Sequence, residues 1–242
     1  MIVFIQFKKI QLITFALFAD MSGNDFILKK NRVFYLCFCL WFLILGILSV
    51  TVPKEESFIW INHWRSFPAD IFFSVITWLG TGYFIIPLAL FCFAIKRKEV
   101  AIGILISFII SGLLVTILKH YFNCPRPAAY FSNKEIIRQG YWLPLRYKYS
   151  FPSGHSTSVF STATIIALFS CNKKKIAVIC FLLACLTAYS RVYLGEHFVE
   201  DIWTGSLIGV AASTIYFILY TKLIRKNKKN GTLHFNKSLT EK

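Results

Sequence analysis

Six apolar runs, each near the length that crosses a bilayer, limit what this chain can fold into. A helix needs ~20 mainly apolar residues to span the hydrocarbon core, within a range of roughly 17–25. The runs cover about 33–52, 72–95, 100–118, 156–171, 176–193 and 202–223. The first stops at Pro53, and the fourth is short. The second contains Gly80 and Gly82, where a break or kink is expected. Hydrophobic residues make up 56% of the chain and charged residues only 16%, too few polar groups to cover a water-facing surface. The sequence therefore predicts an all-α, polytopic membrane helix bundle with six transmembrane helices.

A formal net charge of +16 would point to nucleic acid in a soluble protein. Here the charges sit at the ends of the apolar runs, so they read as membrane topology and no nucleic-acid partner is expected. Six spans put both termini on one side, together with 96–99 and 172–175. These segments hold 18 of the 27 Lys and Arg residues, in dense clusters such as Lys96-Arg97-Lys98 and Lys173-Lys174-Lys175. The other side holds nine of them, with seven of the 11 acidic residues. Because basic loops stay inside, both termini are expected to be cytoplasmic. The organisation is then a cytoplasmic or interfacial segment 1–32, a six-span unit 33–223 and a basic cytoplasmic tail 224–242.

Residues 1–20 admit several readings. They resemble a signal sequence but show no small-residue cleavage site before Asp20; they could form an interfacial helix; or Met21 could be the start. The seven Cys are odd in number and form no C-x-x-C pair, so neither a disulfide framework nor a zinc site is indicated.

Three segments stand out, and the charge-derived topology places all of them on the outer side. Lys119 to Arg126-Pro127 ends the third run. Pro152-Ser153-Gly154-His155 begins the fourth. Ser190-Arg191, then His197 and Asp201, link the fifth to the sixth. On a helix, His197 and Asp201 would share one face, one turn apart. The carboxylate could then fix the imidazole tautomer and leave the other ring nitrogen as a nucleophile. Lys119, Arg126 and Arg191 could clamp the oxygens of a phosphoryl group in transfer. The N–H groups at a helix start, with Ser153 and Gly154, favour an anion. His155 beside them suits a general acid. Each feature has a plainer reading alone: a helix-surface pair, snorkelling cations, an ordinary N-cap. Ser190 has no role on chemical grounds. The outer segments lack the clustered carboxylates of a metal phosphatase, so no metal and no cofactor are expected.

These segments carry a resemblance to the type 2 phosphatidic acid phosphatase superfamily, which also includes vanadium haloperoxidases. Its pattern is Lys, six residues, Arg-Pro; then Pro-Ser-Gly-His; then Ser-Arg, five residues, His, three residues, Asp. Every specified position is present between Lys119 and Asp201. The resemblance implies His197 as nucleophile forming a phosphohistidine, Asp201 as its orienting group and His155 as acid. It implies phosphate binding by Lys119, Arg126, Ser153, Gly154, Ser190 and Arg191. It further implies a metal-independent phosphatase of a membrane lipid at the outer face of a bacterial-type inner membrane. The substrates open to it are phosphatidic acid, phosphatidylglycerol phosphate, undecaprenyl pyrophosphate and lipid A. No obligatory protein partner is expected. A lipid phosphotransferase using the same intermediate and a non-catalytic lipid-binding protein are the alternatives; a haloperoxidase is opposed by the six spans. The loop 128–151 carries Arg138, Arg146 and Lys148 among aromatics. These read either as interfacial decoration or as cations for a second phosphate.

Overall fold

The computed structural model describes residues 31–131, 146–170 and 173–229, the last four of them as backbone alone. Residues 1–30, the loop centre with Arg138, Cys171 and most of the basic tail lie outside the described residues. All regular structure among the described residues is helical: α1 (Arg32–Thr51), α2 (Lys54–His63), α3 (Phe67–Ile76), a 3₁₀ turn (Thr77–Gly80), α4 (Gly82–Ala94), α5 (Lys98–Phe122), α6 (Pro127–Tyr130), α7 (Gly154–Phe169), α8 (Lys174–Tyr193) and α9 (Val199–Lys229).

Each apolar run is mainly helical over its described residues, and most helices extend a few residues beyond the run. The expected break in the second run is present, as a 57° bend between Phe67–Gly80 and Gly82–Ala94. Two short helices, α2 and α6, occupy connections outside the runs. Four segments are long and apolar enough to cross a membrane, and the bent pair makes a fifth. The remaining run is α7, with 16 residues. At 1.5 Å per residue it is about 24 Å long, shorter than the hydrocarbon core. Its length is what separates the five candidate spans from the expected six.

Burial explains how so short a helix fits. Thirteen of the 16 residues of α7 are buried, among them Ser156, Thr157, Ser161 and Thr164. Around it pack α5, α8 and α9, and the outer helices turn apolar residues outward, as Leu40 and Ile47 on α1 and Leu113 and Ile117 on α5 do at 61–64% exposure. Such a surface suits lipid, where small residues and interhelical hydrogen bonds, not water exclusion, hold helices together. Ser161 Oγ meets Ser213 Oγ at 2.8 Å across α7 and α9. Gly205 and Gly209, four apart on α9, allow the contact. A Cβ at Gly205 would stand 2.6 Å from the Ser153 carbonyl oxygen, and one at Gly209 only 2.3 Å from that of Thr157.

The helices run back and forth between two ends. At one end Arg97 of the α4–α5 turn reaches the Phe169 carbonyl at 3.5 Å, so α7 terminates there. Lys96, Arg97, Lys98 and Lys173 to Lys175 are exposed at this end. At the other end, α5 stops, α7 starts, and α8 turns into α9.

Candidate active site

Local geometry explains the spacing of the third segment. Helix α8 ends in a Schellman turn: Gly195 N–H bonds to Val192 O at 3.0 Å and Glu196 N–H to Arg191 O at 2.9 Å. Gly195 adopts φ 79°, the left-handed conformation this turn requires and glycine accepts readily. His197 N–H then also bonds to Arg191 O, at 3.1 Å. Five intervening residues are what the last helical turn and this reversal consume, so Arg191 and His197 are tied through one carbonyl.

His197 lies in the turn, two residues before α9 begins, and not on a helix with Asp201 as the four-residue spacing implied. The pair still meets, with Nδ1 to Oδ2 at 3.1 Å. The reason is that Asp201, third residue of α9, reaches back to the helix start. Its Oδ2 accepts the Phe198 N–H at 2.9 Å, half of a capping box. The same contact that caps the helix thus orients the imidazole. Engagement of Nδ1 leaves Nε2 as the ring nitrogen available for attack. His197 is 1% exposed. Burial, with Arg126, Lys119, Arg191 and His155 around the ring, holds its proton affinity well below the ordinary histidine value of 6.5. The imidazole is therefore neutral near pH 7.

The other segments dock onto this turn through the backbone. Ser153 N–H bonds to Asp201 O at 3.0 Å, which fixes the start of α7 beside α9. Ser153 caps α7, its Oγ accepting from Ser156 N–H at 3.4 Å, and Gly154 is the first helical residue. His155 follows, on the wall of the cavity described below. Asn123, in the left-handed region at φ 42°, ends α5 just past Lys119. Ser150 N–H to Cys124 O at 3.0 Å and Arg126 N–H to Tyr147 O at 2.9 Å then join the two ends of the loop.

The three cations donate to protein acceptors. Lys119 Nζ donates to Tyr149 O at 2.6 Å. Arg126 donates through Nε to Lys148 O at 3.0 Å and through Nη1 to Glu196 Oε2 at 2.5 Å. Arg191 donates through Nη1 to Thr77 Oγ1 at 2.8 Å. Ser190 Oγ donates within its own helix to Thr187 O, at 2.6 Å. All nine expected site residues are therefore at one end of the bundle, eight around the His197 turn and Ser190 bonded inward.

Four residues outside the motifs shape the site. Ser150 Oγ donates to Asp201 Oδ2 at 2.5 Å. Glu196 bridges Arg126 and Arg191. Thr77 and Gly80 come from the broken span: Thr77 holds Arg191, and a Cβ at Gly80 would stand 2.8 Å from the His155 carbonyl oxygen. Only the glycines of the break gave a sequence signal, and that signal was for a kink. A cavity of about 710 Å³ opens along this break, between Trp78, Tyr83, Ile86 and Pro87 on one side and Arg146, His155, Arg191 and Glu196 at its inner end. Among the described residues, no group of three or more His, Cys, Asp or Glu side chains is placed to hold a metal ion.

The family model described as the PAP2 superfamily matches residues 100–225, which hold all three segments. The chain belongs to the PAP2 superfamily. It is 27% identical over 187 residues to the undecaprenyl-diphosphatase of Sulfolobus acidocaldarius, covering 74% of this chain and 87% of that protein. The crystal structure of Aquifex aeolicus LpxE is similar with a TM-score of 0.60 and 36% identity, over 66% of this chain and 92% of that one. The transmembrane PAP2-type phosphatidylglycerolphosphate phosphatase of Bacillus subtilis shares the fold, with a TM-score of 0.57 and 24% identity over 86% of this chain and 99% of that one. With its apolar helices, the chain is a multi-pass membrane phosphatase of this superfamily.

Proposed function

We propose that the chain hydrolyses a phosphate ester or anhydride of a membrane lipid through a phosphohistidine on His197. One observation carries the reading: a buried, neutral imidazole, held at Nδ1 by Asp201, lies among Lys119, Arg126 and Arg191. Nε2 attacks phosphorus, and the bond from phosphorus to the lipid oxygen breaks. His155, which takes up a proton as the phosphate dianion binds beside it, gives that proton to the leaving oxygen. The cations, the Ser153 hydroxyl and the N–H groups at the start of α7 stabilise the charge spread over the equatorial oxygens. Water then attacks the phosphohistidine while His155 takes its proton, and inorganic phosphate leaves with Nε2 restored. The test is phosphate release by the purified protein from lipid phosphates with EDTA present, and an acid-labile phosphoenzyme on rapid quench. Turnover that needs added magnesium, or that persists in His197→Ala, overturns it.

A pyrophosphate lipid is the substrate we favour. Arg146 lines the same cavity as His155 and Arg191, where it can meet a second phosphate. Similarity to a protein named undecaprenyl-diphosphatase supports the same choice. Phosphatidylglycerol phosphate, phosphatidic acid and lipid A are the other candidates. Arg146→Gln lowers activity on pyrophosphate lipids more than on monophosphates; an equal effect on both sinks the assignment.

In this reading α7 crosses as a sixth span shielded by protein, which its course from the active-site end to Arg97 supports. Both termini then face the cytoplasm, and the site faces the outside of a bacterial-type inner membrane, because the lysine clusters crowd the opposite end. Cys introduced at the exposed Tyr147 is labelled from outside sealed cells, while terminal tags stay protected. The reverse pattern inverts the topology.

A further inference from the structure

Glu196 is an acid placed where an anion is to bind. It is 4% exposed, and its Oε2 lies 2.5 Å from Arg126 Nη1 and 3.4 Å from Arg191 Nη2. Arg126 Nη1 also donates to the Glu196 carbonyl, at 3.2 Å. Glu196 lines the cavity with His155 and Arg191. The family pattern leaves this position unspecified.

Two features argue that it does more than balance charge. First, the Schellman turn that bonds Glu196 N–H to Arg191 O also delivers His197, so the backbones of Glu196 and His197 are tied to one carbonyl. Second, Arg191 is not saturated by it. Arg191 Nε is buried with no hydrogen-bond partner among the described residues, and Arg191 Nη2 stands at 3.4 Å, long for a charged hydrogen bond. One carboxylate therefore engages two guanidinium groups, and that of Arg191 retains a donor to spare. An incoming phosphate has to share the clamp with this carboxylate or push it aside, and either way meets like charge.

We propose that Glu196 is an internal stand-in for the phosphate anion. It keeps Arg126 and Arg191 aligned when the site is empty, and its charge weakens their hold on inorganic phosphate so that the product departs. The inference rests on the phosphatase reading and adds a residue that sets how tightly the clamp binds phosphate.

The test uses the full-length protein in detergent with inorganic phosphate as the probe. Glu196→Gln removes the charge and keeps the shape, so the inhibition constant for phosphate falls about tenfold or more while kcat falls. Glu196→Asp keeps the charge and stays within about threefold of the parent. An inhibition constant in Glu196→Gln that is unchanged or raised overturns the proposal. Should Glu196→Gln not fold, infrared difference spectra of the parent decide. Saturating phosphate shifts a carboxylate stretching band that Glu196→Asp displaces; no shift overturns the proposal. A parent protein that turns over no lipid phosphate refutes the phosphatase reading instead, and phosphate binding is then compared between parent and variants by the rise in melting temperature.

Discussion

Ser150 Oγ lies 2.5 Å from Asp201 Oδ2, the same oxygen that stands 3.1 Å from His197 Nδ1. The Phe198 N–H reaches that oxygen as well, at 2.9 Å. Three donors from three directions hold one carboxylate oxygen, and the carboxylate holds the imidazole. Removing Ser150 leaves two of them. Ser150→Ala lowers kcat about three- to tenfold with KM little changed, because the loss falls on orientation of the nucleophile and not on lipid binding. Steady-state kinetics on a soluble lipid-phosphate analogue check this. A rise in KM at constant kcat would place Ser150 in binding.

The His197–Asp201 pair predicts a graded loss. His197→Ala abolishes turnover and the phosphoenzyme together. Asp201→Asn leaves the fold intact but frees the imidazole to take the wrong tautomer, at a cost of about 100-fold or more in kcat. Quench-flow with a radiolabelled lipid phosphate separates the steps: phosphoenzyme forms slowly in Asp201→Asn and not at all in His197→Ala.

The pH profile follows from His197. Its folded proton affinity is depressed below the ordinary value of 6.5, so the ring stays neutral as pH falls through 6.5 and gains a proton only at lower pH. The acid limb of kcat assigned to the nucleophile therefore lies below 6.5. Phosphoenzyme formation measured in single turnovers, at saturating substrate, tests the sign. A half-maximal point above 6.5 would mean that the buried ring favours its charged form.

The contact of α7 with α9 sets the distance between the Ser153 segment and Asp201. A Cβ at Gly209 would meet the Thr157 carbonyl oxygen at 2.3 Å and Ser161 N at 2.9 Å, both backbone atoms that cannot swing away. Gly209→Ala destabilises by roughly 1–3 kcal/mol and lowers activity by moving α7. Gly112, with nothing within 4 Å of its added Cβ, is the control. Gly112→Ala is neutral or stabilising, by up to about 1 kcal/mol from helix propensity. Thermal melting in one detergent compares the two.

Much of the fold was legible because a bilayer imposes a length. An apolar run long enough to cross has few other uses, and the runs became α1, the bent α3–α4 pair, α5, α8 and α9. The break in the second was legible in Gly80 and Gly82. The fourth run was the hard case. Its Ser and Thr residues are buried against protein, so its length is matched to neighbouring helices and not to lipid, and the number of crossings cannot be read from apolarity there. The short α2, with mixed polarity and helix-starting Pro53, carried no span signal.

That the nine motif residues gather at one end of the bundle was legible in their type and spacing, although chemistry alone gave Ser190 no role. How His197 and Asp201 meet was not. A spacing of four suggests a helix face, whereas the structure brings them together through a turn and a capping carboxylate. Ser150, Glu196 and Thr77 gave no signal, because each acts through a contact that chain order does not encode. Ser150 meets an aspartate 51 positions away, and Thr77 an arginine 114 positions away.

What the sequence determined by itself was the solvent, the clustering of the charges and the type and spacing of nine motif residues. These depend on composition and local spacing, which survive without coordinates. The tertiary structure alone decided which atoms those side chains touch. Close approach of α7 to α9, the reversal after Arg191 and the broken span behind His155 are packing outcomes. They place an oriented imidazole, a resting carboxylate and three cations around one point.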